Sequence, residues 1–335
     1  MYTEVPYVAS RTKQALSEMK LLDLVLMAVL LLILPGGCSS EQKVKGGNAG
    51  DPVKLHIVAY PHQDTLYIAD NRVASLRVMV FSNNDLLLFN TLHDLAGTIG
   101  PQDVLQDAST GARKFAFVAN EPASVSGGLA AVTRLSDLNG ILLPADDFNE
   151  SSPIPMVAIY EGTVISLKDG VPSIKVGRYS YTDPNPWQAL LVRRASRINL
   201  TLAAESDITS GFRGVVIRDI PATVPLVPRQ GAPGRRAGAT RSYPQDTFTV
   251  TYNSLVNRWL AVNPHIILPS KEFRGGSAEE AVKISADMSD YSPTWIISVG
   301  ASDGEYGFPP DVIYNFSASI TSPSESLTFS DWGER

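Results

Sequence analysis

Cys38 is the only thiol in the chain, and its surroundings decide what it can do. It follows an eleven-residue apolar run from Leu24 to Leu34, with Arg11, Lys13 and Lys20 upstream and Pro35-Gly36-Gly37 in between. A positive segment, an apolar segment and small residues ahead of a cysteine form a bacterial lipoprotein signal: the thiol takes up lipid and residues 1–37 are removed. Pro35 departs from that pattern, because leucine is commoner three places before the cysteine. A membrane-spanning helix would need about 20 apolar residues, so this run is too short to cross a bilayer. On this reading the chain is exported and held at the cell outer membrane by its lipid.

The other reactive residue types form no catalytic set. Gly300-Ala-Ser-Asp-Gly304 matches the G-x-S-x-G pattern of a hydrolase nucleophile elbow. An elbow must run into a helix, and Glu305-Tyr-Gly-Phe-Pro-Pro310 cannot form one. In that fold the histidine also follows the serine, whereas the last histidine here is His265. A tight Ser-Asp-Gly turn explains the segment better. The four histidines, His56, His62, His93 and His265, are too scattered for a metal cluster, and with Cys38 given to lipid no cysteine-type zinc site or disulfide can form. No catalytic residue, metal or cofactor is expected, and the chain reads as a non-enzyme. A net charge of −6 argues against a nucleic-acid partner, which would require a dominant basic face.

The elements around these residues are strands. Beyond a Gly/Ser/Lys/Asn spacer at 38–50, the pattern is apolar–polar alternation, the period of half-buried β-structure. Val53, Leu55, Ile57 and Ala59 share one face of the first strand. Leu76, Val78 and Val80 repeat the pattern, as do Phe115 and Phe117, then Ile198, Leu200 and Leu202, then Phe248, Val250 and Tyr252, and finally the run from Val312 to Ile320. Proline (23) and glycine (25) interrupt the chain too densely for long helices, so only Ala123–Asn139 and a short Ala278–Ser285 are expected to be helical. A break at Asp183-Pro-Asn-Pro-Trp187 divides the fold into 51–186 and 187–335. Met79, Tyr160, Trp187, Trp259 and Trp295 are expected as core or interface residues.

Four segments resemble the major fimbrillins, the type V pilins of Bacteroidia. They are Ser75-Leu-Arg-Val-Met-Val-Phe-Ser-Asn-Asn-Asp85, Gly111-Ala-Arg-Lys-Phe-Ala-Phe-Val-Ala-Asn120, Leu191-Val-Arg-Arg-Ala-Ser-Arg-Ile-Asn-Leu200 and Ile313-Tyr-Asn-Phe-Ser-Ala-Ser-Ile-Thr321, with Leu327-Thr-Phe-Ser-Asp-Trp332 closing the chain. They occur in the family's order, behind the lipoprotein cysteine. The resemblance implies an all-β protein of two transthyretin-like β-sandwich domains with few short helices. It further implies a fimbrial subunit exported as a lipoprotein, cut by an arginine-specific protease and polymerised by strand replacement. The implied partners are other fimbrial subunits, in a homo- or hetero-polymer, and a receptor on a host or bacterial surface. The alternative is a standalone surface lipoprotein that binds glycan or protein through its sandwich loops.

Arg72 is the only arginine between Cys38 and the strand that begins at Leu76, so the resemblance makes Arg72–Val73 the processing site. It lies closer to the second strand than is usual in the family, and a solvated loop arginine fits the residue equally well. The releasable strand would be 53–60, with Val53, Leu55, Ile57 and Ala59 facing the groove; the alternative is an ordinary first strand that is never released. The basic stretch Arg229–Arg241 reads as a flexible solvated loop or as an adhesive tip. Only three residues follow Trp332, reaching at most about 11 Å. A donated strand spans about 17–20 Å, so the expectation is a minor or tip subunit, unless 324–335 detaches as a whole.

Overall fold

Alternation is realised first in β1, Pro52–Pro61, whose Val53, Leu55, Ile57 and Ala59 are all buried. The computed structural model describes residues 50–61, 71–97, 99–182, 184–228, 238–269, 281–290, 292–296, 310–320 and 333–334. Cys38, the Gly300–Gly304 motif and most of the basic stretch lie outside them. The chain is an all-β protein with a sandwich architecture.

In the first half, β1 is followed by β2 (Ser75–Ser82), β3 (Leu87–Asp94), β4 (Gln102–Ser109), β5 (Gly111–Ala119), helix α1 (Ala123–Ala130) and the short β6 (Leu142–Pro144). Then come β7 (Met156–Lys168), β8 (Val171–Val176), β9 (Tyr179–Thr182) and β10 (Trp187–Arg193). The sheet runs β3-β2-β5-β7-β10-β1-β4, with β8 and β9 attached to the far end of β7. It curls until its outermost strands meet: His93 Nε2 lies 3.1 Å from Gln106 Oε1, and Gln106 Nε2 donates to Thr91 Oγ1 at 3.3 Å. Side chains rather than backbone ladders close this seam around one apolar core.

The opposite face of β2 and β5 is buried as well. Met79, Phe81, Ala116 and Val118 pack under α1 and the 3-10 turn Leu135–Gly140, together with Leu143 and Phe148. Within Ala123–Asn139 the α-helix is only Ala123–Ala130, which includes Gly127 and Gly128; a 3-10 turn takes over from Leu135.

The second half comprises β11 (Ala195–Ala204), β12 (Phe212–Pro221), β13 (Thr223–Pro225), β14 (Gly238–Pro244), β15 (Thr249–Asn253), β16 (Arg258–Pro269), β17 (Lys283–Met288), β18 (Thr294–Ile296), β19 (Ile313–Ile320) and β20 (Gly333–Glu334). Two sheets, β15-β16-β11-β19-β20 and β14-β12-β17-β18, enclose a second core. The expected helix at Ala278–Ser285 is corrected where it is described. From Lys283 the chain is β17, because Ile284, Ala286 and Met288 enter this core and the strand pairs with β12.

A second correction concerns the boundary. Trp187–Arg193 does not open the second half: β10 lies in the first sheet, between β7 and β1, and the change of sheet falls at Arg194. Parallel pairing with β1 and burial of Trp187, Ala189 and Leu191 in the first core put it there. The halves are not insulated from each other. β6 pairs with β13, and Ala195, Val224, Leu226 and Ile267 complete the cluster beneath α1.

Candidate functional site: the β1 slot and the junction at Arg72

The side chains of β1 alternate, so its inner face can fill a slot while Lys54 and His56 occupy the outer face ahead of Val58, which is buried as well. Val53, Leu55, Ile57 and Ala59 are 7%, 4%, 0% and 0% exposed, and all four belong to the first core. The floor of the slot is aromatic. Trp187 meets Phe115, Phe117 and Tyr160 edge-on, with ring centroids 4.9, 5.3 and 5.0 Å apart. Tyr160, on β7, also ties the floor to the β10 wall, its hydroxyl 2.7 Å from Leu190 N and 3.3 Å from Leu190 O. Burial raises the Tyr160 pKa and keeps the hydroxyl protonated as a donor.

The slot has two backbone walls of different kinds. β10 pairs with β1 in parallel, from Ile57↔Trp187 to Pro61↔Leu191. β4 pairs antiparallel, from Pro52↔Ser109 to Ala59↔Gln102. Only Ile57–Ala59 is paired on both sides, whereas Pro52–His56 is paired with β4 alone. Two outer-face contacts add to the β4 wall, His56 Nε2–Asp103 Oδ1 at 2.9 Å and Lys54 Nζ–Asp107 Oδ1 at 3.7 Å. β1 is therefore not an edge strand: removing it would open a groove between β10 and β4.

Arg72 lies at the end of the β1–β2 connection, in a bridge to Ile99, with its guanidinium donating to Ser151 O at 3.3 Å. The Arg72–Val73 bond is tied down. Asn120 Nδ2 donates to Arg72 O (2.9 Å) and to Ile154 O (2.9 Å), while Asn120 Oδ1 accepts from Ala74 N (2.8 Å). Asn120 itself is left-handed, φ 54°, a conformation that asparagine tolerates better than most residues. Val73 is fully buried. A protease needs several residues in extended form, so this bond is presented only when the segment opens locally.

Sequence reasoning missed the group that holds this junction together. Arg193, at the end of β10, is buried; its Nη2 donates to Asn71 Oδ1 and its Nη1 pairs with Asp311 Oδ1, just ahead of β19. One guanidinium thus joins the wall of the slot, the residue before Arg72 and the second sandwich. Neighbouring arginines are also structural. Arg194 donates to Pro225 O and Arg197 to Pro264 O. The only trace in the sequence was that Asn120 and Arg193 stand inside the quoted segments. From the basic stretch, Arg241 is likewise anchored, bonding to Ile267 O at 2.7 Å and to Ala145 O.

No family model matches this chain, and no curated protein matches it in sequence. Solved structures do match. The chain is similar to the tip fimbrial protein Mfa3 from Porphyromonas gingivalis with C-terminal truncation, at TM-score 0.54 and 15% identity, over 83% of this chain and 99% of that one. A putative cell adhesion protein from Parabacteroides distasonis aligns at TM-score 0.53 and 12% identity, over 82% and 90%. Another from the same organism aligns at TM-score 0.50 and 12% identity, over 84% and 95%. The fold of this chain is the one these fimbrial and adhesion proteins share.

Proposed function

We propose that this chain is a structural or adhesive subunit of a cell-surface fimbria, delivered as a lipoprotein and joined to its neighbour by strand replacement in the β1 slot. One observation carries the reading: an interior strand with a fully apolar inner face lies at the N-terminal end of a fold shared with a fimbrial tip protein. Loss of that strand would leave two backbone walls unpaired over an aromatic floor, a template for β-augmentation. Its partners are other fimbrial subunits, and no catalysis is assigned to it. N-terminal mass spectrometry of surface polymer tests the proposal. Strand exchange after processing at Arg72 gives subunits that begin at Val73; a standalone lipoprotein gives monomers that still carry β1.

Delivery is attributed to Cys38. Replacing Cys38 with serine is expected to abolish incorporation of a fatty-acid analogue and surface exposure together; unchanged labelling would refute the attribution. A terminal position in the fibre is favoured by the backbone of β20, which returns to β19 of its own sheet, Tyr314↔Glu334, instead of extending away. Deleting 324–335 separates the positions. A tip subunit so truncated still caps fibres of normal length, whereas a stalk subunit stops growth, and loss of all polymer would rule out the tip.

A further inference from the structure

The β15–β16 hairpin ends in a turn whose composition folding does not explain. Its loop is Ser254-Leu-Val-Asn257, and Leu255 and Val256 are 94% and 56% exposed. Turns favour Gly, Pro, Asn, Asp and Ser, so turn chemistry does not call for two aliphatic residues at the apex, Leu255 almost fully exposed and Val256 more than half so. The apex is nevertheless well built. Asn253 Oδ1 accepts from Leu255 N at 3.0 Å, Asn257 adopts a left-handed conformation with φ 52°, and the Tyr252 hydroxyl donates to Asn257 Oδ1 at 2.5 Å. The loop polar groups secure the turn and leave the two aliphatic side chains projecting.

Behind the apex stands an aromatic row. Tyr252 and Trp259 are register partners, with ring centroids 5.6 Å apart; Tyr252 is 49% exposed, whereas Trp259 is partly buried against the second core. Two to three strand rises of about 3.4 Å separate this row from the apex, so the rings sit about 7–10 Å behind it. Segments that lie in a membrane interface bury their apolar side to about 5–10 Å. Tyrosine and tryptophan prefer the headgroup level just above that depth. From Tyr252 to Asn257 the hairpin carries no charge. Arg258, one position beyond, is paired with Glu205 at 3.3 Å and bonded to Ser319 Oγ at 3.1 Å.

The apex also points the right way. β11 starts at the junction with the first half and ends at Ala204, whose partner is Trp259. The hairpin therefore extends from the pole of the second sandwich farthest from Arg193 and the β1 slot. We propose that Leu255 and Val256 form a membrane-inserting apex that engages the zwitterionic lipid surface of a target cell. Being convex, uncharged and backed by interfacial aromatic rings, the apex suits a deformable lipid interface. A protein pocket would have to be concave to receive it. This inference goes beyond the proposed strand exchange and does not depend on it.

The test uses the chain from residue 38 onward, without the removed signal, with Cys38→Ser in place of the lipidated thiol and Ser254→Cys labelled with an environment-sensitive nitrobenzoxadiazole dye. Phosphatidylcholine vesicles are expected to raise and blue-shift the emission. Adding Leu255→Asn and Val256→Asn is expected to increase the lipid concentration for half-maximal change at least about tenfold, as the loss of two buried aliphatic side chains requires. Both substitutions are on the exposed loop, so an unchanged thermal transition verifies the fold. No emission change in the parent, or the same change in the double variant, overturns the proposal; so does an emission change elicited by a protein extract and not by vesicles.

Discussion

Cleavage after Arg72, followed by loss of residues 50–72, is expected to leave a chain that is no longer a stable monomer. Val53, Leu55 and Ile57 are almost fully buried, and together such side chains contribute about 5–8 kcal/mol gross. A domain is typically stable by only about 5–15 kcal/mol, so removing the strand takes a large share of what holds the first half together. The product should self-associate or partly unfold at micromolar concentration. A synthetic peptide spanning Asp51–Pro61 should return it to a monomer, and the same peptide with Ile57→Asp should not, because an ionised carboxylate would enter the site of a fully buried residue. Size-exclusion chromatography and thermal melting with and without peptide decide the matter. A product that stays monomeric with an unchanged melting temperature would count against strand replacement in the β1 slot.

The rate of that cut is a separate expectation. The carbonyl of Arg72 is held by Asn120 and Val73 is buried, so a cut there would require local opening of the segment. Asn120→Gly keeps a residue able to occupy positive φ while removing all three side-chain bonds. Cutting at Arg72 by an arginine-specific protease should accelerate severalfold, roughly as expected for the loss of one or two net hydrogen bonds. An unaltered rate would mean that the clamp does not limit access.

The buried face of β1 was legible because its signal is local: apolar residues recur at every second position from Val53 to Ala59, and all four are buried. What lay beside the strand was not legible. Trp187 follows Pro-Asn-Pro, a break that reads as a boundary, yet β10, which starts directly after the break, rejoins the first sheet and runs parallel to β1. Period-two alternation reports that a face is buried but not which sheet buries it. Ala278–Ser285 misled for a related reason: its Ala, Glu and Lys favour a helix, but the pairing of β17 with β12 is decided by residues about seventy positions away. The junction is more distant still. Asn71 and Arg193 are 122 residues apart and Arg193 and Asp311 are 118 apart, so no spacing rule joins them. Their roles follow only from the folded chain.

The strongest single-residue effect is expected away from the slot, at the ion pair of Arg77 and Glu121. Arg77 Nε and Nη2 donate to the two oxygens of Glu121 at 2.5 and 2.8 Å, with side-chain exposures of 7% and 4%. Arg77 Nη1 donates to Asn90 Oδ1 at 2.8 Å, and Asn90 Nδ2 in turn donates to Leu129 O, at the end of α1, at 3.0 Å. Ser126 Oγ adds a bond to Glu121 at 2.7 Å. The network fastens α1 to β2 and β3 through charges that have left water. Truncating either partner leaves the other charge buried and unanswered, which costs about 3–5 kcal/mol. Arg77→Ala and Glu121→Ala should each lower the urea midpoint accordingly, whereas Arg77→Met combined with Glu121→Leu should recover most of the loss, because the double change removes both charges and refills the volume. Lys54→Ala is the contrast. Its partner Asp107 is 3.7 Å away and the lysine side chain is 64% exposed, so about 0–1 kcal/mol is expected. If Glu121→Ala cost no more than Lys54→Ala, the pair would not be holding the helix, and α1 would owe its position to Val125 and Leu129 alone.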